Sequence, residues 1–314
     1  MKNYIIRRLL TLIPVLLGIS VAIFLIMQLI PGDVVTGILG IEETPELRAM
    51  WERRLGLDKP LVVQYFNWIS GVVRGDFGES FRTGAKVFPE ILSRFAVSAE
   101  LALIACIVAW IIALPLGVLS ALKRNSITDR IVRIIALLGV SVPNFATATL
   151  LILFLALAFG YYSPIRYVSF LENPLVNLEI MLFPAVVLGG SMAGSVMRMT
   201  RSSLLEVLRQ DFIKAVRAKG APERVTIMRH AFKNASIPIV TLVGMQMGIL
   251  MGGTVVIEQI FSIPGLGQYL LTGIFQRDYP IVQGSVLFMA FIYVFINLLV
   301  DIIYTYIDPR ISYS

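Results

Sequence analysis

The chain of 314 residues is poor in charge: Asp, Glu, Lys and Arg make up 15% of it, against about 25% in an ordinary soluble domain. It holds one cysteine and one histidine. A single thiol, Cys106, excludes an internal disulfide, and the two residues together are too few for a Cys/His metal cluster. Cys106 lies within an apolar run and reads as an inert, buried small residue. The pattern G-x-x-x-x-G-K-[ST] occurs nowhere, so the chain has no P-loop with which to hold ATP itself. Gly71, Gly75 and Gly78 do not fit G-x-G-x-x-G and follow no strand, so they form no dinucleotide loop. Paired acids, a Ser with a base and H-E-x-x-H are missing too, which leaves an intramembrane enzyme without its constellation. No catalytic, cofactor-binding or metal-ligating residue is assigned.

What remains is apolar. Hydrophobic residues make up 57% of the chain and its mean hydropathy is +0.82. Six runs, near 9–30, 99–121, 134–159, 180–197, 237–260 and 284–306, are long enough for a hydrocarbon core that takes about 20 helical residues to cross. The first holds fifteen Leu, Ile, Val or Phe residues and no charge, a sum of about −7 kcal/mol in favour of insertion. Basic residues precede it, as in a signal peptide, but a signal's apolar stretch is only about 7–15 residues. This run is longer and ends in the turn Pro31-Gly32-Asp33, so it is read as a span.

The net charge of +7 and pI near 9.6 do not point to nucleic acid, because the basic residues sit at the ends of apolar runs rather than on a soluble face. They orient the chain instead. With the N-terminus in the cytoplasm, the inner segments carry seventeen Lys or Arg, and the two short outer loops only Arg166 and Arg277. Both termini are then cytoplasmic. Long loops cross regardless of charge, so the eight basic and nine acidic residues of 31–98 do not oppose this. The spans are expected to kink at Pro115, Pro143, Pro184 and Pro238, each of which removes a helix hydrogen bond. "LGGSMAG" (188–194) and "MGILMGG" (247–253) supply small residues for close helix approach, either as ordinary helix packing or as a sliding contact beside a pathway.

Residues 31–98 read as a small helical cap. "PELRAMWERRLGLD" (45–58) predicts a short amphipathic helix, with Leu47, Met50 and Leu55 on one side and an end near Gly56. "LVVQYFNWISGVVRGDFG" (61–78) predicts a second, ended by its glycines. An ion-driven carrier needs ionisable groups at mid-membrane, and here they are scarce. Glu100, Glu258 and Asp301 lie near span ends and read as boundary or helix-pairing residues. The energy for any transport therefore has to come from outside the chain.

Residues 198–236 form the one large inner feature, with nine Lys or Arg. Leu205, Leu208, Phe212 and Ala215 predict one helix face continuing from the fourth span. Gly220 is expected just past that helix and Pro222 at the first position of the next. Val225, Met228 and Phe232 continue until Pro238 begins the fifth span. Two short helices joined by a tight corner, each with an apolar stripe and a basic face, suit either a docking surface or an amphipathic pair on anionic lipid.

"DFIKAVRAKGAPERVTIMRHAFKNASIPI" (211–239) resembles the EAA loop of ABC importer permeases, in the variant of the peptide/nickel family. "NYIIRRLLTLIPVLLGIS" with "PGD", "LGLDKPLVVQYFNWISGVVRGDFGESFRTG", "FSIPGLGQ", "RDYPIVQG" and "NLLVDIIYTYIDPRI" resemble the dipeptide/oligopeptide pattern, B-type subunit, over nearly the whole chain. The sequence departs from Glu-Ala-Ala at Lys214-Ala215-Val216, so no carboxylate role at 214 carries over.

The resemblance implies an all-α type I importer permease fold with six transmembrane helices, one domain over 1–314, an extracytoplasmic cap at 31–98 and a coupling loop at 198–236. It implies a multi-pass protein of the bacterial inner membrane that forms half of a pathway for di- or oligopeptides, glutathione, nickel chelates or similar solutes. The expected partners are a homologous second permease, two cytoplasmic ATPase subunits that bind ATP and Mg, an extracytoplasmic binding protein and membrane lipid, with no nucleic acid. At the ATPase interface it implies Asp211, Lys214, Ala215, Arg217, Ala218, Lys219, Gly220, Arg224, His230 and Asn234. The lone His230, without other ligands, reads as a helix hydrogen-bonding residue near Asn234 rather than a metal ligand. Asn144, Thr147, Met245 and Met251 face either a pathway or neighbouring helices. A carrier or channel acting alone stays as the competing reading; it requires titratable groups in the spans and transport without any ATPase.

Overall fold

The computed structural model describes residues 2–29, 34–40, 43–162, 164 and 166–307. Along the chain run α1 (Lys2–Leu29), α2 (Val34–Leu39), α3 (Pro45–Leu55), α4 (Leu61–Val73), α5 (Val87–Leu122), α6 (Ile127–Ser141) and α7 (Asn144–Phe159). Then follow α8 (Pro174–Val207), α9 (Asp211–Ala218), α10 (Glu223–Val225), a π-helical turn (Thr226–Ala231), α11 (Phe232–Gly253), α12 (Val255–Ile260), α13 (Leu266–Gln276) and α14 (Tyr279–Ile307). Among the described residues there is no strand, only an isolated bridge between Glu79 and Lys86. The turn expected at Pro31-Gly32-Asp33 and Arg310 lie outside the described residues, as do the side chains of Lys2, Arg7, Arg8 and Asp301.

Among the described residues, five helical stretches are long and apolar enough to cross a membrane: Leu10–Leu29, Val87–Leu122, Pro174–Val207, Glu223–Met251 and Tyr279–Val300. The third expected span is not one rod. It is α6 and α7, which meet at 103°. Val142 (ψ 125°) and Pro143 (ψ 137°) are both extended, because the proline ring drives its predecessor out of the helical region. Pro115, Pro184 and Pro238 lie instead inside continuous helices. Of the four kink sites read from the sequence, only Pro143 ends a helix. Several helices also outrun their apolar cores: α5 starts at Val87, twelve residues before the expected span.

The chain divides into two compact units, 1–98 with 263–294, and 99–262 with 295–314. In the first, α3 forms as expected. Thr44 Oγ1 accepts from Leu47 N at its start, and Gly56 ends it at φ +70°. None of its residues is buried: on its apolar side Leu47 and Met50 are exposed and Leu55 is half-buried. Next, α4 leans on α1: Ser20 Oγ and Tyr65 Oη are 2.9 Å apart, and Phe24 stacks on Trp68. The core of this unit is Phe77, Val87, Ile91, Leu266, Ile281 and Phe288. Beside it, Asp278 is fully buried and accepts a 2.6 Å bond from Ser80 Oγ.

The second unit is a helix bundle. Cys106, Ala109 and Ala113 of α5, Val132 and Ala136 of α6, Met192, Ala193 and Val196 of α8, and Ile239 and Val243 of α11 share one core. Cys106 is thus a small core residue, as read. Glycines let the backbones touch: a Cβ at Gly189 would lie 2.6 Å from Ala105 O, and one at Gly194 would run into Ala136 O. At Gly189 and Gly194 the small-residue run 188–194 therefore serves helix packing. Two acids of this unit are held by neighbours. Tyr167 Oη donates to Glu100 at 2.8 Å, and Thr254 Oγ1 donates to the buried Glu258 at 2.8 Å.

Candidate functional site

The 198–236 loop is built on a second cluster of the same unit. Leu204 and Val207 at the end of α8, Ala121 of α5, Ala231 and Ala235 of the returning helix, and Ile213 of α9 pack together. Ile213 is fully buried and is the one buried residue of α9. The face predicted from the sequence is displaced. Leu205 and Leu208 are only half-buried, and Phe212 and Ala215 are exposed. Nor is there one helix from the fourth span through Ala215, because α8 ends at Val207 and a turn over 208–210 re-aims the chain into α9. That turn swings Ile213 inward.

The corner itself forms as read. Lys219 caps α9, its N–H donating to Ala215 O. Gly220 then takes φ +78°, and its N–H donates to Arg217 O at 2.9 Å. Pro222 is the residue before α10, one earlier than expected, with ψ 143°. The returning stretch is not a separate short helix. From Glu223 through a π-helical turn it continues into α11, so Pro238 lies inside the helix instead of opening it. At the end of that turn Asn234 Nδ2 donates to His230 O at 2.7 Å. His230 is half-buried in that turn.

The expected docking residues divide into those tied within the loop and those on its surface. Lys214 Nζ donates to Asp211 Oδ1 at 2.8 Å. The Arg217 guanidinium holds both oxygens of Glu223, at 2.6 and 3.1 Å, bridging the corner from α9 to α10. That hydrogen-bonded carboxylate raises the Arg217 pKa above its ordinary value. Ala215, Ala218, Lys219, Gly220 and Arg224 are exposed, as are Phe212, Val225 and Met228. The loop thus offers small and apolar side chains set among cations on a helix anchored by a single buried isoleucine.

Sequence reasoning missed one constellation beside this loop. Asp129, in the first turn of α6, is fully buried and paired with Arg201 of α8 at 2.8 and 2.9 Å. The available signal was Ser126, three residues before Asp129: its hydroxyl accepts from Asp129 N and caps α6. Of the residues considered for a pathway, Asn144 and Thr147 line a cavity of about 650 Å³ with Leu138, Gly190, Ser191 and Met197. Met245 is exposed and Met251 buried.

The family model described as "Binding-protein-dependent transport system inner membrane component" matches residues 113–313. A companion model for the N-terminal part of such membrane components matches residues 1–102. The chain belongs to this family, a multi-pass permease component of a bacterial inner-membrane ABC transport system. It is 41% identical, over 333 aligned positions and the full length of both chains, to the dipeptide transport system permease protein of Alkalihalophilus pseudofirmus. To the glutathione transport system permease protein of Salmonella choleraesuis it is 37% identical over 314 residues, again the full length of both. Its fold is similar to a chain of the MetNI methionine ABC transporter, solved in inward-facing conformations. The TM-score is 0.57 at 18% identity, covering 70% of this chain and 96% of that one.

Proposed function

We propose that this permease forms half of the membrane pathway of a peptide importer and takes its driving force from separate ATPase subunits that dock on α9. One observation carries the docking: Ile213 is the one buried residue of α9, which with its cap Lys219 presents Phe212, Ala215, Ala218 and Lys219 outward. Ala215 and Ala218 keep that face low enough for a groove to close on it, and Lys219 and Arg224 suit an acidic rim. Lys214 and Arg217 shape the loop through Asp211 and Glu223 before they meet any partner.

The assembly that follows has a second, similar permease, two ATPases binding ATP and Mg, and an extracytoplasmic binding protein resting on residues 31–98. ATP binding draws the ATPases together, and the docked helices rock the bundle between access to one side and to the other. The chain itself performs no chemistry and holds no cofactor. Both termini and the 198–236 loop lie in the cytoplasm, by the distribution of Lys and Arg. Peptides are the proposed solutes because full-length relatives are named for dipeptide and glutathione transport.

The test is reconstitution. Vesicles holding the whole assembly should take up labelled peptides only with ATP inside and binding protein outside, and vesicles holding this chain alone should accumulate nothing. Accumulation by the lone chain would overturn the reading in favour of a self-sufficient carrier.

A further inference from the structure

The Asp129–Arg201 pair joins three helices just above the loop. Asp129 Oδ1 accepts from Ser120 Oγ of α5 at 2.6 Å and from Arg201 Nε of α8 at 2.8 Å. Oδ2 accepts from Arg201 Nη2 at 2.9 Å and from Asn125 N at 3.0 Å. Asn125 takes φ +63°, and its N–H meets the same carboxylate. Arg133 Nε stands 3.6 Å away on the exposed side. Every lone-pair direction of a side chain with no exposed surface is therefore used.

Asp129 is buried while Arg201 is half-buried; such a pair is weak grounds for stability, because desolvation of the carboxylate offsets the attraction, and fixing register is the best-attested use of a buried pair. Here the register is that of α6 against α8, and the neighbouring contacts agree. Gly139 and Gly194 put the α6 and α8 backbones in direct touch. On α5, a Cβ at Gly117 would lie 2.7 Å from the Thr200 side chain, next to Arg201. One turn further along α8, Leu204 and Val207 hold Ile213 of α9. A displacement of α9 thus reaches α8 through Ile213, then α6 through Arg201 and Asp129. Beyond the bend at Pro143 it reaches α7, whose Asn144 and Thr147 line the 650 Å³ cavity with α8.

We propose that Asp129 and Arg201 are positioning residues of transport: they lock α5, α6 and α8 so that movement received at α9 reaches the cavity instead of dissipating at the loop. The inference rests on the importer reading above. Its test uses the complete reconstituted assembly and a mixture of labelled di- and tripeptides, and reads uptake, ATP hydrolysis and subunit assembly together. Asp129→Asn leaves Arg201 without its counter-charge. The double variant Asp129→Leu with Arg201→Met removes both charges, so neither is left without its partner.

The double variant is expected to assemble and to hydrolyse ATP at the wild-type rate, while peptide carried per ATP falls about ten-fold, within the usual range of coupling between sites. Arg201→Lys keeps the charge but not the fork, and is expected to restore part of that ratio. Three results would overturn the proposal: a wild-type ratio in the double variant, uptake and hydrolysis falling by the same factor, or failure of the double variant to assemble. In each the wild-type assembly still shows ATP-driven uptake, which separates this failure from failure of the importer reading.

Discussion

At Gly220 the backbone has φ +78°, and a Cβ added there would meet nothing within 4 Å. The cost of a side chain is therefore conformational alone, about 1–2 kcal/mol for an L-residue in the left-handed region. Gly220→Val is expected to open the corner and abolish ATP-driven uptake, with loss of ATPase co-purification. Gly220→Asn, which tolerates that region, should retain most of both. Full uptake by the valine variant would remove the corner from the mechanism. Ile213→Ala is expected to cost about 2–4 kcal/mol as a buried truncation, read as faster amide exchange confined to residues 211–218. The exposed Arg217–Glu223 pair should contribute under about 1 kcal/mol in a double-mutant cycle, less in high salt. Gly220 was legible from its place after a basic helix end. Ile213 was not, because nothing in the sequence says that the chain turns at 208–210.

At the scale of elements, the crossing of α6 and α8 depends on which glycine faces the partner. Gly194→Ala puts a methyl group against Ala136 O, whereas a Cβ at Gly190 meets nothing within 4 Å. Thermal unfolding in detergent should show the first destabilised by about 1–3 kcal/mol through overpacking and the second unchanged. Equal effects would mean that the two helices are not in this register. The sequence carried α3 well, since Thr44, Pro45 and Gly56 are local signals. It carried the third span poorly. An apolar run with one proline reads the same whether the proline bends a helix or ends it. Here the extended Val142 and Pro143 turn the chain by 103°, while Pro115 and Pro184 lie inside continuous helices. Whether a proline is accommodated in a membrane helix depends on groups that can satisfy the freed carbonyl, which no local sequence pattern specifies.

For the whole molecule, the proposed orientation has a direct readout. Cys106 is buried in the bundle core, so single cysteines introduced in a Cys106→Ser background report accessibility. A cysteine at Lys219 should react with an impermeant reagent only in inside-out vesicles, and one at Lys59 only in right-side-out cells. The reverse pattern would invert the topology and remove the loop from the ATPases. The membrane-spanning, all-helical character was written in composition: too little charge for a soluble surface, and runs of apolar residues long enough to cross. The positions of glycine and proline also fixed where the loop turns its corner. The burial of Ile213, the break between α6 and α7, and the Asp129–Arg201 lock emerged only in three dimensions. Each depends on which residues far apart in sequence become neighbours. A lone aspartate at a helix start carries the same local signal whether it faces water or, 72 residues away, an arginine.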